Sequence, residues 1–116
     1  MPPKYTYFSD KEADGLNPDL MAMLDIARGK AGVPFFITSG LRTAEQNSGL
    51  QNAVSDSSHL TGHAVDLLCT DSVTRFAMLS GLLEAGFNRL GIYKNHIHCD
   101  NDPSKDPKVC WYVEGV

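Results

Sequence analysis

All four histidines of this chain fall in two short windows, from Ser57 to Asp66 and from Asn95 to Asp100. Both windows also contain aspartate, so imidazole nitrogens and carboxylate oxygens are concentrated in a small part of the sequence. These atoms are common ligands for zinc, and a catalytic zinc site typically uses three protein ligands with one position left for water. The clustering predicts a metal site.

Side-chain alternation along a strand indicates which residues of the second window can act together. His96, His98 and Asp100 would share one face of a strand, because successive side chains point to opposite sides. Ile97 and Cys99 would take the other face, which suits a hydrophobic core. The polar face of this strand is therefore the one that fits a site.

The first window can supply the remaining ligands. Gly62 permits a tight turn between His59 and the following strand, which carries Asp66. His59, Asp66 and His98 can then converge from a loop and two neighbouring strands. His63 would lie on the face away from Asp66, and we interpret it as a hydrogen-bonded residue outside the metal site.

The elements that must position these residues can be read from capping residues and apolar patterns. Helices are predicted to begin at Ser9, Asn17, Thr43, and Asp71 or Ser72. The last of these helices would bury Val73, Phe76, Leu79, Leu82 and Leu83. Strands are predicted over Val33–Thr38, His63–Leu68, Leu90–Tyr93, His96–Asp100 and Val109–Val113. Helices packed on a small antiparallel sheet make an α+β fold.

Composition limits the class of protein. The 116 residues carry no repeat or linker, so we treat residues 1–116 as a single domain. An apolar share of 42% excludes wholesale disorder, and no apolar run approaches the roughly 20 residues of a membrane helix. The formal net charge of −4 argues against a nucleic-acid partner. Three cysteines without a C-x-x-C pair predict buried, reduced thiols. Separately, we expect the protein to be a monomer.

One string of residues resembles a known family signature: Ser57-x-His59-x-x-Gly62-x-Ala64-x-Asp66, followed at a distance by His98. It is similar to the signature of the D-alanyl-D-alanine carboxypeptidase-like zinc peptidases, which include carboxypeptidases, dipeptidases and phage endolysins that cleave murein peptides. Thr38-Ser39-Gly40-Leu41-Arg42-Thr43 resembles the family's strand-end segment with its active-site arginine. Further matches to the closing portion of small phage-type members are Gly91-Ile92-Tyr93, His98-x-Asp100 and Trp111-Tyr112.

The resemblance covers about Tyr7 to Tyr112 and implies a fold like that of the hedgehog and D-Ala-D-Ala peptidase proteins. It implies one zinc ion held by His59, Asp66 and His98. It also implies attack of zinc-activated water on L-alanyl-D-glutamate or D-alanyl-D-alanine type bonds in peptidoglycan stem peptides. By the same analogy, Arg42 would stabilise the oxyanion or grip a substrate carboxylate.

The expected proton acceptor departs from the family pattern. Many members place Asp or Glu three residues before the last histidine ligand, where this chain has Asn95, and an amide cannot take up a proton in this way. His96 matches a histidine found in one branch, so we nominate it as base or oxyanion partner, with Asp100 as an orienting carboxylate. Small phage-type members often have an aromatic residue at this position. The alternative is therefore that His96 has no role in catalysis. Ser57 would bind substrate or orient a ligand, and the alternative is a loop or capping serine.

Three functions stay open at this point. The first is a murein hydrolase of the phage lysis or virion type, made in the cytoplasm because Met1 to Tyr7 lacks an apolar signal core. Such an enzyme would reach the wall after the membrane is breached, with peptidoglycan peptide as its partner and no membrane or nucleic acid. The second is a catalytically weak or inactive zinc-binding module of a phage particle. The third is a metal-free domain with hydrogen-bonded histidines.

Overall fold

Within residues 4–41 and 57–115, which the computed structural model describes, five strands form one sheet in the order β1–β2–β4–β3–β5. The strands are β1 (Ile37–Ser39), β2 (Ala64–Leu68), β3 (Arg89–Ile92), β4 (His96–Asp100) and β5 (Val109–Tyr112). Three neighbouring pairs are antiparallel, namely β1 with β2, β2 with β4, and β4 with β3, whereas β5 pairs parallel with β3. The α+β class is confirmed, but the sheet is mixed, where the sequence led us to expect an antiparallel one.

The parallel pairing of β5 follows from the path of the chain. Because β4 is antiparallel to β3, β4 ends beside the start of β3. Residues 101–108 then bring the chain past that end of the sheet, and β5 starts alongside Arg89, the first residue of β3. The two strands therefore run in the same direction.

In the described part of the chain, the helices begin where the capping residues predicted. They are α1 (Asp10–Ala13), α2 (Pro18–Ala31) and α3 (Ser72–Glu84), together with a 3₁₀ turn over Ser58–Thr61. Asn17 caps α2 by accepting from the Leu20 amide, and Asp71 caps α3 by accepting from the Thr74 amide. The helix expected after Thr43 lies outside the described residues. A polar loop is expected over Gly49–Ser58; its residues 49–56 also lie outside them, and Ser58 begins the 3₁₀ turn.

The core lies between the helices and one face of the sheet. Helices α2 and α3 pack against each other, and Gly81 of α3 permits the contact because a Cβ there would lie 2.5 Å from the Ala27 carbonyl oxygen. The helices and the inner strand face bury one continuous cluster, which includes Leu20, Leu24, Val65, Leu67, Met78, Leu82, Ile97 and Cys99. The opposite face of the sheet is thereby left for polar residues of β2 and β4.

The predicted inner face of α3 was wrong at three positions. Val73, Phe76 and Leu83 are 82%, 76% and 59% exposed, whereas Met78 and Leu82 are buried. Apolar residues lie on both sides of this helix, so helical spacing alone does not choose the buried side. The choice follows from Gly81, whose missing side chain lets α2 approach that side of α3 most closely.

The three cysteines are free thiols, as predicted, but only Cys69 and Cys99 are buried. Cys110 is exposed and lies on β5, an edge strand of the sheet. In the described ranges, no helix combines the length and apolar character needed to cross a membrane.

Candidate metal centre

His59, Asp66 and His98 meet on the sheet face opposite the helices. Asp66 and His98 are direct partners in the β2–β4 register, so their side chains project from the same face. His59 comes from the 3₁₀ turn that precedes β2, and Gly62 ends this turn in the left-handed conformation at φ 75°. A Cβ on Gly62 would collide with the Gly15 carbonyl oxygen, so glycine is required here by both space and backbone.

Two of the three distances between the ligand atoms of this trio suit a tetrahedral site. Asp66 Oδ1 lies 3.3 Å from His59 Nε2 and 3.2 Å from His98 Nδ1, and all three ligand atoms lie within 4.8 Å of one another. Two ligands bound at zinc-like distances in a tetrahedron are roughly 3.3–3.4 Å apart. The three side chains therefore fit a small divalent ion bound in this manner.

The ring of His59 is oriented by a main-chain carbonyl. Its Nδ1 lies 2.8 Å from the Gly40 oxygen, and its side chain is only 1% exposed. A carbonyl oxygen can only accept, so Nδ1 carries a hydrogen and Nε2 is the ring nitrogen that faces Asp66. This is the tautomer that a metal ligand needs.

The ring of His98 is oriented by a buried carboxylate. Its Nε2 lies 2.7 Å from Asp100 Oδ2, which leaves Nδ1 for the metal centre. Asp100 is 1% exposed, and its other oxygen accepts from Arg89 Nε at 2.7 Å and from the Asp102 amide at 3.2 Å. Such carboxylate–histidine pairs hold ligating imidazoles in place and raise their basicity. Asp100 thus lies behind His98 and away from where a substrate would bind.

The electrostatics of the site favour a cation. Burial raises the pKa of the Asp66 carboxyl, but hydrogen bonds with His59 and His98 outweigh burial and lower the pKa overall. The pKa of Asp100 is lowered in the same way, chiefly by its hydrogen bond with His98. Burial lowers the pKa of His98, and its hydrogen bonds to Asp100 and Asp66 outweigh this and raise it. The buried Asp100 and the partly buried Asp66 are therefore ionised near neutral pH and attract positive charge.

His96 lies at the open side of the trio. Its Nε2 is 3.8 Å from Asp66 Oδ2, its side chain is 28% exposed, and its ring stacks on Tyr93 with centroids 4.3 Å apart. The neighbouring Asn95 is exposed, and its main-chain carbonyl accepts from the Cys69 amide. His96 is thus placed where it can reach a molecule bound at the metal centre.

The other residues nominated from the sequence have different positions. Ser57 is 6% exposed and caps the 3₁₀ turn by accepting from the His59 amide at 3.3 Å. His63 bonds through Nδ1 to the Thr61 hydroxyl at 2.8 Å, outside the trio, as its face predicted. Arg42 lies outside the described residues.

Sequence reasoning missed Arg89 and the position of Trp111. The Trp111 indole lies over Gly91, where a Cβ would come within 2.5 Å of it, and its ring is 5.2 Å from that of His98. Its Nε1 donates to the Tyr93 hydroxyl at 3.1 Å. Arg89 and Gly91 alternate onto the face of His98, so the strand pattern would have revealed them had the β3–β4 register been known.

Asp102 ties the loop after β4 to the turn that carries His59. Its Oδ2 accepts from the Ser58 hydroxyl at 2.7 Å, and its Oδ1 accepts from the amide and hydroxyl of Ser104 at 3.0 and 2.7 Å. Burial raises the pKa of the Asp102 carboxyl, but the hydrogen bonds from Ser104 and Ser58 outweigh burial and lower the pKa to about 2. The ionised side chain therefore fixes the position of the His59 turn.

We expect Asp102→Asn to lose stability at neutral pH and to lose less in acid. Because folding lowers the pKa of this carboxyl, its contribution is complete above the unfolded-state pKa and disappears as the pH falls toward 2. The gap in unfolding free energy between wild type and variant, measured by urea denaturation, should narrow between pH 5 and pH 2. The exposed Asp106, changed to Asn, is the control. A gap of constant size over this range would contradict the assignment.

Comparison with known proteins places the chain in a family. The model of the family described as Peptidase M15 matches residues 4–100. The chain therefore belongs to the M15 peptidase family and is a metallopeptidase, which confirms the family resemblance drawn from its motifs. No curated protein sequence matches the chain.

A solved structure has a fold similar to that of this chain. The crystal structure of the Serratia marcescens L-Ala D-Glu endopeptidase ChiX aligns with a TM-score of 0.60 at 24% sequence identity. The alignment covers 84% of this chain and 89% of that one, so the likeness extends over nearly all of both folds.

Proposed function

We propose that the protein is a zinc-dependent hydrolase of peptide bonds in peptidoglycan stem peptides. The observation that carries this proposal is the convergence of His59, Asp66 and His98, with neighbouring ligand atoms 3.2 and 3.3 Å apart. Zinc bound there would supply a water of lowered pKa and would polarise the scissile carbonyl. Membership of a peptidase family supports peptide hydrolysis, and the likeness in fold to an L-Ala D-Glu endopeptidase favours that type of bond.

In this proposal His96 takes the proton from the attacking water. It is close to Asp66 without belonging to the ligand trio, and its stacking on Tyr93 fixes the plane of the ring. The Asn95 amide cannot take this role. Asp100 orients His98, Ser57 orients the His59 turn, and Arg42 stabilises the oxyanion or binds a substrate carboxylate.

Asn95 also supports a second candidate function. A carboxylate is expected at this position in many relatives, and its absence favours a module that binds zinc and murein peptide without turnover. The two candidates share the metal centre and differ only in whether a proton acceptor operates. A phage origin, with access to the wall at lysis, stays a prediction from the sequence.

Digestion of purified murein by the zinc-loaded protein, followed by mass spectrometry of the fragments, tests the proposal. An endopeptidase of the L-alanyl-D-glutamate type releases stem peptides that begin with D-glutamate, whereas a carboxypeptidase releases only terminal D-alanine. His96→Ala should retain zinc and lose about 100-fold or more in rate, as is typical when a general base is removed. Intact murein after incubation with protein that retains one zinc per chain would favour the binding module.

A further inference from the structure

One row of residues crosses the sheet at the level of the metal centre. Asp66 of β2 lies directly opposite His98 of β4. Gly91 of β3 lies opposite His98 on one side and opposite Trp111 of β5 on the other. Direct partners in neighbouring strands project from the same face of a sheet, so Trp111 lies on the face of the ligand trio. We call these four residues the central row.

The Tyr93 side chain reaches the central row from the next row along the sheet. Its amide donates to the His96 carbonyl at 3.0 Å, so its main chain lies beside His96. Its hydroxyl accepts from Trp111 Nε1 at 3.1 Å, and this part of the indole lies over Gly91. The side chain therefore leans back along β3 and brings its hydroxyl beside the indole, whose ring is 5.2 Å from that of His98.

The hydroxyl hydrogen of Tyr93 can be donated to a bound molecule. An indole N–H can only donate, so the phenol oxygen is the acceptor in the bond with Trp111 and its own hydrogen points elsewhere. His96 does not accept it, because the two rings are stacked with 13° between their planes. Among residues 4–41 and 57–115, no other group accepts from this hydroxyl. Tyr93 is half-buried, so a ligand at the metal centre can reach it.

We infer that Tyr93 is a further catalytic residue, whose hydroxyl donates to the oxygen of the scissile carbonyl while negative charge develops there. This inference rests on the proposed function, in which the scissile carbonyl is polarised at the metal centre. The carbonyl oxygen is then the substrate acceptor closest to the central row. Tyr93 keeps its hydrogen throughout, and His96 takes the proton from the attacking water.

The surroundings of Tyr93 suit a donor of this kind. The bond from Trp111 and the stacking on His96 hold the phenol in place before substrate binds. A donor fixed in advance stabilises the charge of the transition state more than it stabilises the uncharged carbonyl of the substrate. Accepting from the indole also makes the hydroxyl a stronger donor, because hydrogen bonds in a chain polarise one another.

Tyr93→Phe tests the inference because it removes the hydroxyl and keeps the ring that stacks on His96. In zinc-loaded protein acting on a murein peptide, kcat should fall about 100-fold, the effect of removing one oxyanion donor, with KM and zinc content close to wild type. The matched control is Tyr112→Phe, since Tyr112 is 70% exposed and alternates onto the other face of β5 from Trp111. This control should keep the wild-type kcat. A wild-type kcat in Tyr93→Phe, with or without a higher KM, would overturn the inference.

A phosphinate analogue of the L-alanyl-D-glutamate bond gives a second readout, which does not need turnover. Its tetrahedral, charged group resembles the transition state, and Tyr93→Phe should bind it about tenfold or more weakly than wild type and Tyr112→Phe do. Calorimetry on zinc-loaded protein measures this affinity and counts only the binding-competent molecules. If wild type binds the phosphinate but cleaves no peptide, the proposed hydrolysis fails, and a weaker affinity in Tyr93→Phe still supports Tyr93 as the donor. Equal affinities in the three proteins, or no binding by wild type, overturn it.

Discussion

His98→Ala is expected to remove both the bound metal and the hydrolytic activity. The substitution deletes one of three ligand atoms and leaves the Asp100–Arg89 pair facing a cavity. A catalytic metal supplies several kcal/mol of transition-state stabilisation, and about 4 kcal/mol corresponds to about 1,000-fold in rate. Murein solubilisation should fall at least that far, with zinc per chain measured on the same samples.

The matched control is His63→Ala. His63 is hydrogen-bonded to Thr61 and lies outside the ligand trio, so this variant should keep near-wild-type zinc and activity. Circular dichroism of both variants separates loss of the site from loss of the fold. A folded His98→Ala protein with full zinc content and full activity would contradict the assignment of this ligand.

Asp100→Asn is expected to weaken metal binding by 10- to 100-fold, the usual effect of removing the group that orients a ligating histidine. An asparagine cannot replace this carboxylate, because one oxygen accepts from His98 and the other accepts from Arg89 and the Asp102 amide. In one orientation of the asparagine amide, its NH₂ group faces Arg89 and the Asp102 amide, which are also donors. In the other orientation it faces His98 Nε2, which must then accept, so that the ring hydrogen moves to Nδ1 and blocks metal binding there. Stability should fall by about 3 kcal/mol, since the Arg89 charge loses its buried partner.

Competition with a chromophoric zinc chelator measures the affinity change, and urea denaturation measures the stability change. Asp106→Asn provides the same chemical substitution at an exposed side chain and should leave both quantities unchanged. Wild-type zinc affinity in Asp100→Asn would show that His98 does not depend on this carboxylate for its orientation.

The convergence of His59, Asp66 and His98 could be predicted from the sequence because local rules determine most of it. Strand alternation puts His98 on the polar face of β4, and Gly62 supplies the turn that returns the chain from His59 to β2. The pairing of Asp66 with His98 then needs only that the two windows be neighbouring strands. The spacing of the family signature supplied that adjacency.

The surroundings of the trio could not be predicted, because they depend on long-range register. Trp111 reaches His98 only because β5 pairs parallel with β3, and Arg89 reaches Asp100 only in one β3–β4 register. The group that orients the His59 ring is the main-chain carbonyl of Gly40, and side-chain patterns in the sequence carry no information about it. The buried side of α3 likewise depended on its contact with α2 at Gly81.

Zinc-edge X-ray absorption on protein purified without an affinity tag, with the metal content determined on the same sample, tests the central claim most directly. We predict one zinc per chain, coordinated only by nitrogen and oxygen at about 2.0–2.2 Å, as two histidines and an aspartate require. Protein without stoichiometric metal, or a spectrum with sulfur at about 2.3 Å, would contradict this account, because Cys99 faces the core and not the ligand trio.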